Sequence, residues 1–167
     1  MTGVVDEDWP TADLDTLRQL QVIAGAAKYP SYAERHFDVP VRQLWSVASD
    51  LERELPHIVS GLRSFTILES GGDRHSGRAV SVIGHRERFE VVLRPGWCLM
   101  QGRVLTSGMA AVPEGEGSRF AFYSSARFPG GQVVDRVRRL RAEHRFGKLF
   151  DRLQQRVAAR SFPDIAE

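Results

Sequence analysis

Few side chains in the sequence could act on a substrate, and their spacing limits what they could do. The nucleophiles and bases of interest are Cys98, Ser124, Ser125, His36, His57, His75, His85 and His144. A serine or cysteine becomes a nucleophile only beside a base, and no Gly-x-Ser-x-Gly segment is present. We therefore interpret the serine pair as small residues that leave room in a cavity, and Cys98 as a small buried hydrophobe.

Metal and nucleotide sites are not indicated. No two histidines are four residues apart, as a metal-binding helix requires, and Cys98 is the one cysteine. The chain also lacks a Gly-x-Gly-x-x-Gly segment and a Walker-type loop. We expect neither a metal nor a nucleotide cofactor.

The weak catalytic candidates are Glu87, His57 and His144. Glu87 falls on the apolar side of a predicted strand, where a carboxyl group could serve as a general acid or base. The alternative, which we favour, is that Glu87 reaches water or an arginine at the end of the strand.

Composition bounds the class of protein. The chain has 167 residues, 42% of them hydrophobic and 26% charged, which is typical of one globular domain. The net charge of +2 gives no overall field for nucleic acid, so no nucleic-acid partner is expected. No apolar run approaches the roughly 20 residues of a membrane span, and residues 1–9 do not resemble a signal peptide. With a single cysteine, we expect a cytoplasmic protein.

The pattern of the chain predicts an α+β fold. A short helix within 11–27 precedes a first strand at 32–39, a proline-led helix pair ending near 56, and six strands between 61 and 128. A long helix without proline follows from 132 to about 160. Strands joined by short turns favour an antiparallel sheet, so we expect a curved sheet of about seven strands around the C-terminal helix. Residues 1–30 are interpreted as an N-terminal extension and 31–167 as the main domain.

Strand alternation predicts which side chains line an internal pocket. On the last predicted strands, every second side chain points inward. The wide apolar arc of the long helix faces these side chains. The predicted pocket residues on strands are Phe89, Val91, Cys98, Met100, Phe120, Phe122, Ser124, Ala126 and Phe128. Those on the helix are Phe146, Leu149, Phe150 and Leu153.

A basic stripe follows the same helix. Its members are spaced by three or four residues and are Arg138, Arg141, Arg145, Lys148, Arg152 and Arg156. We interpret this stripe as a solvated outer face. The alternative is an interaction surface for an anionic partner.

The chain resembles the START and birch-pollen-allergen-like helix-grip superfamily, in particular its bacterial polyketide cyclase/dehydrase branch. The resemblance is carried by segments 36–45 and 51–56, the turn at 95–97, the hairpin at 115–119 and the exit 128–131 into an arginine-rich helix. It covers roughly residues 32–160 and does not explain the N-terminal helix.

The resemblance implies a helix-grip domain with a cavity between the sheet and the C-terminal helix. It implies binding of a small hydrophobic molecule, lipid-like or polyketide-like, without chemistry. An alternative is a polyketide cyclase or aromatase that works without metal or nucleotide on a ligand folded in the cavity. A further alternative is an interaction protein that uses the basic helical face. The sequence leaves the ligand and the oligomeric state open.

Overall fold

A computed structural model describes residues 14–126 and 131–160, with side chains in the second range described from residue 144. The strands are β1 (Pro30–Phe37), β2 (Leu62–Gly71), β3 (Arg74–Ser81), β4 (Arg86–Arg94), β5 (Trp97–Gly102), β6 (Leu105–Glu114) and β7 (Gly117–Ala126). They form one antiparallel sheet in the order β1-β7-β6-β5-β4-β3-β2. The predicted sheet of about seven antiparallel strands is confirmed.

Four helices accompany the sheet within the described ranges. They are α1 (Thr16–Ala26), α2 (Val41–Ala48), α3 (Leu55–Ile58) and α4 (Gly131–Ala159). Asp15 caps α1 by accepting a hydrogen bond from the Arg18 N–H at 2.9 Å. Pro40 precedes α2, and Pro56 lies in the first turn of α3, where its missing N–H costs no helical hydrogen bond. The helix pair after β1 and the long C-terminal helix are as predicted.

The third strand starts earlier than the sequence indicates. We predicted it from Arg78 to Gly84, whereas β3 runs from Arg74 to Ser81. Gly72, with a φ of 59°, makes a two-residue turn after Gly71, so β2 and β3 pair almost from the turn itself. The residues after Ser81 form the next turn instead.

The face of the sheet that α4 covers, called the inner face here, carries the main core. Phe120 lies between Phe37 and Phe150, with edge-to-face ring separations of 6.2 and 6.0 Å. Helix α2 contributes Leu44 and Val47, both fully buried, to the same core. The inner face and three helices thus form one continuous apolar layer.

The opposite face, called the outer face, carries a second cluster beneath α1. Leu17 and Leu20 pack there against Tyr123 and Ala121 of β7. A Cβ atom at Gly108 would lie 2.6 Å from Leu20 Cδ1, so glycine at this position lets α1 approach β6 closely. Strand alternation in the sequence predicts that Ala121 and Tyr123 point away from the inner core. They do, but α1 covers them, and both are buried.

In the described part of the chain, no helix combines the length and the apolar character that crossing a bilayer requires.

Candidate functional site: a cavity between the sheet and the C-terminal helix

A cavity of about 260 Å³ lies between the inner face and α4. Its sheet wall draws side chains from β2 to β7, and its helical wall comes from α4 and from the end of α3. The cavity reaches the surface at its rim, where lining residues such as His85 and Arg145 are exposed. The volume is slightly below the roughly 300–1,000 Å³ typical of small-molecule sites, so the cavity suits one compact ligand.

The structure brings part of the predicted pocket set together around this cavity. The predicted residues that line it are Phe89, Met100, Phe122, Ser124, Phe146 and Leu149. Phe122 and Phe146 face each other from β7 and α4, with ring centroids 5.4 Å apart. Alternation along β4 and β7 therefore located the inner face correctly.

Other members of that set lie elsewhere. Those that pack in the inner core and do not line the cavity are Val91, Cys98, Phe120, Phe150 and Leu153. Ala126 is buried beside Leu105 of β6 and does not line the cavity either. Phe128 lies outside the described residues. Strand parity selects a face, but it cannot tell where along that face the core is solid and where it opens.

Cys98 is fully buried, and its surroundings are apolar. Burial raises the pKa of the Cys98 thiol to about 12, because the thiolate loses its hydration. At neutral pH the thiol is therefore protonated and unreactive.

Glu87 lines the cavity from the sheet wall. Its Oε1 accepts a hydrogen bond from the Val104 N–H at 2.6 Å. Neither of the two interpretations of Glu87 from the sequence included this backbone partner. A Cβ atom at Gly102 would lie 2.8 Å from Glu87 Cδ, so glycine at that position leaves room for the carboxylate. Among the described residues, no hydrogen-bond donor reaches Oε2.

The two histidine candidates do not join Glu87. His57 and His144 are both exposed, and neither lines the cavity. The histidine that does line it is His85, in the turn between β3 and β4. Sequence spacing alone gave no signal for His85. Within the described ranges, no three His, Cys, Asp or Glu side chains cluster as metal ligands would.

The interpretation of the basic stripe as a solvated outer face holds only in part, because Arg145 is exposed whereas Arg152 and Arg156 are partly buried. Arg145 and Arg152 line the cavity. Arg156 donates hydrogen bonds to Glu54, whose side chain is only 8% exposed. The hydrogen bonds from Arg156 lower the pKa of the Glu54 carboxyl and outweigh the opposing effect of burial.

Among the remaining members of the stripe, Lys148 is exposed and does not line the cavity. The side chains of Arg138 and Arg141 lie outside the described residues. An apolar arc and a charged arc overlap on this helix because β1, α2 and α3 all pack against it.

Several cavity residues were missed by the sequence analysis. They belong to α3, to the residue that follows it, and to β2, β3 and β6, and are Leu55, Val59, Leu62, Phe65, Ala79, Ser81 and Ser107. Phe65 could have been found from alternation in β2. Ala79 and Ser81 are small, so β3 showed no clear apolar parity, and Ser107 precedes the predicted start of its strand.

Solved structures superpose on the chain at low sequence identity. TTHA0849 from Thermus thermophilus aligns with a TM-score of 0.62 and 22% identity over 80% of this chain and 99% of that protein. The KanY protein (ms6282) aligns with a TM-score of 0.60 and 15% identity over 77% and 97% of the two chains. Ara h 8.0201 aligns with a TM-score of 0.51 and 14% identity over 78% and 98%.

These similarities concern the fold alone. The seven-stranded antiparallel sheet, the short helix pair after β1 and the long C-terminal helix define a helix-grip fold, as the sequence resemblance predicted. No protein-family model and no curated protein sequence matches the chain.

Proposed function

We propose that the protein binds a small hydrophobic molecule in the cavity between the sheet and α4. The observation that carries this proposal is the cavity itself. A volume of about 260 Å³ remains open beneath the inner face, whereas protein interiors are normally packed with few voids larger than a water molecule. The walls of this cavity are mostly apolar, so an apolar ligand that displaces water from them is favoured.

The contacts in the proposed complex are mostly apolar. Phe89, Met100 and Phe122 would contact the ligand from the sheet, and Phe146 and Leu149 would contact it from α4. Four of these five side chains are at most 5% exposed, so a ligand in contact with them would be largely removed from water.

The test combines ligand identification with a matched pair of variants. Native mass spectrometry of protein purified from its own host would show what co-purifies. Uptake of N-phenylnaphthylamine, a neutral apolar dye, would be compared in Ser124→Trp and Ser125→Trp. Ser124 lines the cavity, whereas the adjacent Ser125 has the opposite strand parity and donates a hydrogen bond to the Lys28 carbonyl.

We expect Ser124→Trp to abolish dye uptake and Ser125→Trp to retain it, with both variants folded by circular dichroism. A wild-type protein that takes up no dye and carries no co-purifying molecule would contradict the proposal.

A second candidate function is a cyclase or aromatase of the polyketide cyclase/dehydrase type. It is supported by Glu87, a carboxylate in an otherwise largely apolar cavity, where a positioned group could transfer protons on a folded substrate. Because Oε1 already accepts a hydrogen bond from the Val104 N–H, Oε2 is the oxygen that would transfer the proton. Glu87→Gln should then abolish turnover of the co-purifying molecule while leaving its binding intact. Unchanged turnover in this variant would remove the enzyme candidate's main support.

A further inference from the structure

The cavity has an uneven distribution of charge. From α4, Arg145, Leu149 and Arg152 line it at intervals of four and three residues, so they share one face of the helix. At 1.5 Å per residue the two arginines are separated by roughly 10 Å along the axis. Phe146 and Leu149 lie between them, so the helical wall is an apolar patch with a guanidinium at each end.

Two arginines at and just beyond the end of α4 have acidic partners. Arg156 pairs with Glu54, with a shortest N–O distance of 2.6 Å, and Arg160 pairs with Asp50 at 3.0 Å. Asp151, the acidic residue next to Arg152, pairs instead with Arg35 of β1 at 2.7 Å. These three described carboxylates are therefore already engaged.

The two cavity arginines are different. The side chain of neither Arg145 nor Arg152 forms an ion pair or a hydrogen bond with any described residue, Glu87 included. Both nevertheless border a largely apolar space, Arg145 at its exposed rim and Arg152 partly buried, where a guanidinium gains from an anionic partner. Two arginines against the single carboxylate of Glu87 leave the cavity wall with an excess of positive charge, to which His85 would add when protonated.

We infer that the ligand is an apolar molecule that ends in an anionic group, and that Arg145 and Arg152 attract this group, one of them by a charge-assisted hydrogen bond. The inference rests on the proposed binding function and names its ligand class. The apolar part of the ligand packs against the sheet wall, on Phe89 and Phe122, and its carboxylate or phosphate lies along the α4 side of the cavity. A guanidinium suits either anion, because its N–H groups match both geometries.

Displacement of N-phenylnaphthylamine by octanoate and by octanol tests this inference. The two molecules have the same apolar chain and differ in the charge of one end. The wild-type protein should bind octanoate about tenfold more tightly than octanol, the factor expected from one charge-assisted hydrogen bond in a partly exposed site. The preference should decrease as salt is added.

The variants separate this site from general surface charge. Arg145→Gln with Arg152→Gln should remove the preference for octanoate and leave octanol binding unchanged. Lys148→Gln removes a positive charge from the same helix at an exposed position that does not line the cavity, and it should keep the preference. Should the double variant fold poorly, each single substitution should reduce the preference by itself.

The outcomes distinguish the two proposals. If the dye binds but octanoate is not preferred over octanol, the inference of an anionic ligand is wrong and the cavity remains a binding site. The same conclusion follows if neither molecule displaces the dye. A preference that survives in the double variant also overturns the role of the arginines. Absence of dye uptake by the wild type overturns the binding function on which the inference rests. To identify the natural anion, inorganic phosphate and acetate can compete against octanoate.

Discussion

Arg156 and Glu54 join α4 to the start of α3 through two hydrogen bonds from one guanidinium group, at 2.6 and 3.3 Å. The Glu54 side chain is 8% exposed, so the pair lies largely beneath the surface. One turn earlier on α4, Arg152 lines the cavity, and Leu55 after Glu54 lines it from the other helix. The pair therefore fixes the two helical walls of the cavity relative to each other.

Glu54→Gln should lower the urea midpoint of unfolding at neutral pH, because the ion pair is lost. The folded-state pKa of Glu54 lies below its unfolded value, so its contribution to stability is complete above about pH 4.3 and is lost as pH falls through the folded pKa. The difference between wild type and variant should thus shrink in urea titrations at pH 3. Glu69→Gln, at a side chain that is 80% exposed, is the control and should show no difference at either pH.

Cys98 should react slowly with Ellman's reagent in the folded protein. A thiol with a pKa of about 12 and no exposed surface presents almost no thiolate at pH 8. We expect labelling at least about a hundredfold slower than in the urea-unfolded chain. Equal rates in the two states would show that the strand carrying Cys98 opens readily.

Two buried serines should differ in their contribution to stability. Ser118 is fully buried and donates a hydrogen bond to the Val39 carbonyl at 2.9 Å, so Ser118→Ala should cost roughly 1–2 kcal/mol. Ser107 lines the cavity and its hydroxyl forms no hydrogen bond with another described residue, so Ser107→Ala should change stability by less than about 0.5 kcal/mol. Urea unfolding of both variants measures the contrast, and equal losses would place a structural hydrogen bond on Ser107.

Leu20 is the centre of the contact between α1 and the outer face. It is fully buried, so Leu20→Ala should cost about 2–5 kcal/mol. Val22 on the same helix is 61% exposed, and Val22→Ala should change stability by about 0.5 kcal/mol or less. Thermal melting distinguishes them. A small effect of Leu20→Ala would mean that α1 detaches at little cost.

The order of elements and the inner face could be predicted from sequence, because alternation is clear wherever one strand face is strongly apolar. Phe89 of β4 and Phe122 of β7 are examples. Alternation fails where small residues border a cavity, as for Ala79 and Ser81, since nothing bulky marks the inner side. It also fails for Tyr123, whose outward position is buried by a helix distant in sequence.

Polar residues of the site could be predicted less well. Glu87 was identified from parity, but its hydrogen bond to the Val104 N–H depends on a turn that follows a different strand. The cavity positions of Arg145 and Arg152 depend on how deeply the sheet surrounds α4, and helical periodicity contains no information on that depth.

Because α1 covers only part of the outer face, the two halves of the sheet should differ in their amide exchange with solvent deuterium. Strands β6 and β7 are enclosed between α1 and the inner core, so their amides should open only with global unfolding. Outer-face side chains of β3 and β4, such as Arg78 and Arg88, are exposed, and these strands should open through smaller fluctuations. The cavity spans both halves, so one wall is held rigid while the other can yield to the shape of a ligand.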